Sequence, residues 1–189
     1  TILQHAHLHL ELARHGDHPD HGFNGVHVAA FQRAALHAGG GVGVEGVELQ
    51  VGVVLHLGDA ALGPIEESIA LTAQLNGRRL LVPGNHDRVS PATQSKRAIE
   101  RFLPMYEAAG WEILPEVIEG TRHGYRIIAS HYPYGGDSQE QDRHTSHRPR
   151  WDDGIPLLHG HTHARDHGPN GHQFHVGVDA HDFAPIPFS

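Results

Sequence analysis

Residues 51–60 read VGVVLHLGDA. A short apolar run rich in valine gives way to Gly58-Asp59, which is how a buried strand meets a loop. The pattern recurs downstream. Ile65 to Asn76 carries apolar residues at helical spacing and closes on Gly77, a C-terminal stop. Arg79 to Val82 reads as a strand running into Pro83-Gly84. Ser90-Pro91 looks like a cap followed by proline at the first helical position. It opens a helix towards Gly110, with Pro104 kinking or splitting it. Tyr125 to Ser130, Ile155 to Leu158 and His172 to Val178 read as further strands. Strands alternating with helices imply an α/β fold. Ligand sites in such folds gather beyond strand C-terminal ends. Asp59, Asn85, His131 and His161 all stand at such positions.

Upstream of residue 50 the texture changes. Val26 to His37 reads as a helix, and residues 39–46, GGGVGVEG, contain a formal G-x-G-x-x-G at Gly41, Gly43 and Gly46. A dinucleotide fingerprint needs a strand before it and a helix after it, and neither is expected here, so we read a chance match. Residues 2–11, ILQHAHLHLE, place His5, His7 and His9 at alternate positions, on one side of a strand.

A chain of 189 residues implies one domain, 1–189, long enough to bury a substantial core. Acids outnumber Lys plus Arg by 22 to 14, giving a net charge of −8. That balance lacks the basic footprint of a non-specific nucleic-acid binder. The absence of cysteine excludes disulfides and thiolate metal sites. No apolar run approaches the roughly 20 residues of a membrane span, and no stretch reads as a signal peptide. The expectation is a cytoplasmic protein with no membrane partner.

Histidine is the unusual feature, at 21 residues. It is the commonest metal ligand. Four fragments concentrate ligand chemistry: Gly58-Asp59, Gly84-Asn85-His86-Asp87, Ser130-His131-Tyr132-Pro133 and Gly160-His161-Thr162-His163. A two-metal hydrolase needs cations about 3.5–4 Å apart, bridged so that water loses its proton. The bridging ligand must offer two lone-pair directions, and Asp59 is the candidate carboxylate. Asn85, His131, His161 and His163 suit the remaining positions, because neutral donors leave the pair positive for an anionic phosphate. Mixed nitrogen and oxygen ligation favours Mn, Fe, Zn, Co or Ni. His86 could face substrate and protonate a leaving oxygen. Asp87 could orient that imidazole, and Arg88 is a candidate for holding a phosphate oxygen. The basic cluster RHTSHRPR, residues 143–150, is ringed by acids and reads as a solvated loop rather than a substrate contact.

In this order and spacing the fragments resemble the calcineurin-like metallophosphoesterase family, whose pattern is D-x-H, G-D, G-N-H-[DE], a single H, then G-H-x-H. The resemblance runs from about Val53 to Pro187 through HLGDAALGP, LNGRRLLVPGNHDR, SHYPYGGDS, PLLHGHTH and VGVDAHDFAPIP. These stretches look like a bacterial and phage branch. The resemblance implies a four-layer α/β/β/α sandwich with two divalent metal ions (Mn, Fe, Zn or Ni). It implies that Asp59 bridges them, that Asn85, His131 and His161 complete one site, and that His163 serves the other. A small phosphorylated substrate or nucleotide is the implied partner, and hydrolysis of a phosphomonoester or phosphodiester the implied reaction.

The family's opening D-x-H is absent. Aligned on its flanks, His9 falls on the motif histidine and His7 on the aspartate. Imidazole brings no negative charge, so an occupied but altered metal site and a degenerate, non-catalytic binding or scaffold module are both open. A third reading concerns residues 5–50. Nine of 21 histidines fall in the first 56 residues, and one lysine stands against thirteen arginines. A GC-rich gene read out of frame gives this texture. A D-x-H in another frame of the same DNA is the test.

Overall fold

Leu55, Leu57, Leu80 and Val82 belong to one apolar cluster, and Leu81, lying between the last two, belongs to another. This period of two is that of strands buried on both faces. The computed structural model describes residues 26–29, 53–75, 77–122, 124–151, 154–163, 171–184 and 186–188. The elements are β1 (Val26–Ala29), β2 (Val53–His56), α1 (Ile65–Thr72), β3 (Arg78–Leu81), α2 (Lys96–Ala108), β4 (Trp111–Ile113), β5 (Val117–Arg122), β6 (Tyr125–Ser130), β7 (Leu157–His159), β8 (Gln173–His175) and β9 (Ile186–Phe188).

These strands form two sheets, ordered β4-β3-β2-β1-β9 and β5-β6-β7-β8. In the first, β1 to β4 run parallel and β9 runs antiparallel to β1. In the second, β5 and β6 make an antiparallel hairpin, while β7 and β8 run parallel to β6. Leu55, Leu57, Leu80 and Val82 meet Ile118, Ala129 and Val176 between the sheets. On the other face of the first sheet, Leu81 and Trp111 meet Ile65, Ile69 and Tyr106 of the helices. The class is α/β, as expected, and the described layers are helix, sheet and sheet.

Several boundaries differ from the sequence reading. Val26–Ala29 is a strand pairing with β2 and β9, not the start of a helix. Helix α1 ends at Thr72, where Arg79 takes up its last carbonyl and one in the turn that follows: Nη1 donates to Thr72 O at 2.7 Å and Leu75 O at 2.8 Å. The cap of α2 is Ser95, whose Oγ accepts from Ala98 N at 3.3 Å. Ser90 is buried in the preceding turn, where its carbonyl accepts from Gln94 N. Pro104 neither splits nor ends the helix, since it lies on the exposed side, where a freed carbonyl can be hydrated. Strands β7 and β8 are shorter than expected, and β4, β5 and β9 were not anticipated. Residues 2–11 and 39–46 lie outside the described residues. No described helix is long and apolar enough to cross a membrane.

Candidate metal centre

The loops after β2 and β3 are pinned together by one buried carboxylate. Asp87 Oδ2 accepts from Asp59 N at 2.7 Å and Gly84 N at 2.8 Å, and Oδ1 accepts from Ala60 N at 3.0 Å. Tyr106 OH, from α2, donates to the same Oδ1 at 3.3 Å. Burial and the nearby Asp59 charge raise the Asp87 pKa to about 7, against the three backbone N–H donors. Asp87 therefore organises backbone. Its hydrogen bonds do not include the His86 ring it was expected to orient.

The glycines allow the loops to close. A Cβ at Gly84 would sit 2.4 Å from Asp59 Oδ1 and 2.7 Å from His131 Nδ1, and one at Gly58 would sit 2.2 Å from the same nitrogen. Gly58 also has φ +92. Asp59, His161 and His163 adopt left-handed φ values of 59°, 66° and 59°. Strained non-glycine backbone of this kind clusters at functional sites.

Four of the sequence candidates converge. His131 Nε2 lies 3.0 Å from Asn85 Oδ1, 3.1 Å from His161 Nδ1 and 3.6 Å from Asp59 Oδ2. His161 Nδ1 is also 3.0 Å from Asn85 Oδ1. The outer ring nitrogens are both engaged. His131 Nδ1–H donates to Leu57 O at 2.8 Å, and His161 Nε2–H donates to Asp137 Oδ2 at 3.0 Å. Burial and the adjacent His131 push the His161 pKa down to about 4, against the pull of Asp137. In neutral rings of these tautomers, two imidazole lone pairs and an amide oxygen face one another with no hydrogen between them.

The remaining candidates sit at the edge. His163 is half exposed, with Nδ1 3.7 Å from Asp179 Oδ2. Partial burial lowers its pKa, while Asp179 and Asp59 oppose the shift. His86 is exposed, and its backbone N–H donates to Asp59 Oδ1 at 2.8 Å. Arg88 is exposed, and its backbone N–H donates to Tyr106 OH at 3.0 Å. His7 and His9 lie outside the described residues. Among the described residues, no three His, Asp or Glu side chains form a ready-made ligand group. The convergent set is completed by an asparagine.

Sequence reasoning undervalued Asp137. Burial opposes its ionisation. Hydrogen bonds from the Arg143 side chain and backbone, and from His161, nonetheless hold it well below the usual carboxylate range. Its position within SHYPYGGDS, six residues past His131, was the available signal. Two of the three arginines in the basic cluster are paired with nearby acids: Arg143 and Arg148 pair with Asp137, Arg148 also pairs with Asp142, and His147 pairs with Glu116. His144, given no role from sequence, lies with its ring 5.3 Å from Tyr132 and 6.2 Å from His161.

No protein-family model matches the chain. A solved structure of a protein of unknown function from Aquifex aeolicus aligns over 71% of this chain and 72% of its own, at 24% identity and TM-score 0.48. The gene 66 protein of Mycobacterium phage L5 is 33% identical over 133 residues, 66% of this chain and 64% of that protein. The gene 66 protein of Mycobacterium phage D29 is 36% identical over 150 residues, 71% of each chain. At that identity and coverage, the chain belongs to the family of these mycobacteriophage gene 66 proteins.

Proposed function

We propose that the chain is a metal-dependent phosphoesterase of the calcineurin-like metallophosphoesterase type, with the α/β/β/α architecture of that family. The observation that carries this reading is the lone-pair cluster of Asn85 Oδ1, His131 Nε2 and His161 Nδ1, within 3.0–3.1 Å of one another. Such a cluster is relieved in two ways. The asparagine can turn its NH2 towards the rings, or a cation can take the three lone pairs. The nearby Asp59 carboxylate and the left-handed backbone at Asp59, His161 and His163 favour the cation. Nitrogen and amide or carboxylate oxygen suit Mn, Fe, Zn or Ni.

On this reading Asn85, His131 and His161 would hold one divalent ion and His163 would serve a second, with the Asp59 carboxylate available to both. Bound divalent cations supply Lewis acidity, which lowers the pKa of water and offsets phosphoryl charge. The exposed His86 delivers a proton to the leaving oxygen. Arg88 binds a non-bridging phosphate oxygen. Asp87 keeps the Asp59 and Asn85 loops in register. The substrate is a small phosphorylated molecule or nucleotide.

The test is hydrolysis of chromogenic phosphomonoester and phosphodiester substrates with Mn²⁺, alongside Asn85→Ala and His161→Ala. Metal-dependent turnover lost at least about 100-fold in both variants supports the enzyme. A second reading, a non-catalytic binding module, is favoured by His7 standing where the family has aspartate. Metal uptake without turnover on either substrate selects it.

A further inference from the structure

Asp137 lies in the loop after β6, and its side chain is fully covered, at 0% exposure. Its Oδ1 accepts from Arg143 Nη2 at 2.7 Å, Arg143 Nε at 3.1 Å and Gln139 N at 3.2 Å. Its Oδ2 accepts from Arg143 N at 2.9 Å, Arg148 Nη2 at 3.3 Å and His161 Nε2 at 3.0 Å. Arg148 is itself covered, at 4%. Two guanidiniums thus hold the carboxylate in place and balance its charge.

An ionised carboxylate can only accept hydrogen bonds. The Asp137 contact therefore puts the His161 ring proton on Nε2. In the neutral ring Nδ1 then carries the lone pair, and Nδ1 is the atom facing Asn85 and His131. A partner on the outer nitrogen sets the tautomer of a ligating histidine and raises its basicity. His131 receives the same treatment from the Leu57 carbonyl, a backbone group that no side-chain substitution removes.

We propose that Asp137 is a positioning residue that locks His161 in the Nε2–H tautomer and so presents Nδ1 as a ligand atom to a divalent cation. The ligand half of this statement rests on the phosphoesterase reading, whereas the tautomer half does not. The loop of residues 137–148 becomes part of the site through this contact. Its basic residues act by holding Asp137 rather than by meeting substrate.

Two measurements on the full chain test it. The first is ¹⁵N NMR of the histidine ring nitrogens in chelator-treated protein, with His161 assigned by His161→Gln. The proton is expected on Nε2 in the wild type and redistributed towards Nδ1 in Asp137→Ala, which removes the acceptor. The second is Mn²⁺ binding by calorimetry. Asp137→Ala is expected to weaken affinity about 10–100-fold. Arg78→Gln, which breaks an exposed ion pair with Glu112 away from this contact, is expected to stay within about twofold. A wild-type His161 protonated on Nδ1 overturns the proposal, as does Asp137→Ala with undiminished affinity. If Asp137→Ala does not fold, the wild-type ring spectrum still decides the tautomer half. A wild type that binds none of Mn²⁺, Fe²⁺, Zn²⁺ and Ni²⁺ in the same titration removes the ligand half and the phosphoesterase reading together, while the tautomer half is still judged by the spectrum.

Discussion

Asp87 and Gly84 show why neighbouring residues in one motif do different work. In Gly84-Asn85-His86-Asp87 the asparagine faces the imidazoles, the histidine is exposed, and the aspartate turns inward to bind three backbone N–H groups. Residue type alone made Asp87 a partner for His86, because a carboxylate beside a histidine is a common pairing. Three otherwise unsatisfied buried donors claim it instead, since leaving each unpaired costs about 1–3 kcal/mol. Gly84 is required for another reason: the Asp59 backbone and side chain and the His131 ring occupy the space of its missing Cβ. Gly84→Ala is expected to destabilise the protein by at least about 3 kcal/mol. Gly63→Ala, at φ +79 with open space around it, should cost only about 1–2 kcal/mol. Urea denaturation of both variants measures the difference, and equal losses would mean that the close packing at Gly84 is unimportant.

Helices α1 and α2 are held by contacts invisible in local periodicity. The end of α1 is met by Arg79, which reaches back from β3 to the Thr72 and Leu75 carbonyls. Trp111 Nε1 donates to Thr72 Oγ1 at 2.7 Å, tying α1 to β4 as well. A pattern of apolar residues reports which face is buried but not which distant side chain arrives at the helix end. For α2, two serines precede candidate first turns. Ser95 caps because Ser90 is buried beneath the loops of the site. Pro104 lies on the exposed face of an unbroken helix. Replacing it with alanine restores a backbone donor and should raise stability by about 1 kcal/mol, part of the intrinsic gain being offset by a more flexible unfolded chain. Thermal unfolding reads this out, and a lowered melting temperature would mean that the proline's shape is needed for packing on the sheet.

The molecule gathers residues more than 70 positions apart at the ends of β2, β3, β6 and β7. Burying them has a consequence for acid stability. His56 is fully buried, and burial lowers its pKa from 6.5 to about 3, against the attraction of Asp59. In the unfolded chain it takes a proton near pH 6.5, and in the folded chain only near pH 3. Between those values the unfolded state binds more protons, so its contribution to stability is present above pH 6.5 and is lost as pH falls towards 3. His56→Gln, followed in chelator, should flatten the decline by up to about 1.4 kcal/mol per pH unit. An unchanged slope would place the acid sensitivity elsewhere. The α/β class, β2, β3 and β6, and the positions of Asp59, Asn85, His131 and His161 were readable along the chain. Apolar runs, glycine and ligand-type residues are local signals, and strand ends are where they meet. The roles of Asp87 and Asp137 were not readable. A carboxylate's partner depends on which donors folding leaves buried beside it: backbone N–H groups of two loops for Asp87, and two arginines and the His161 ring for Asp137.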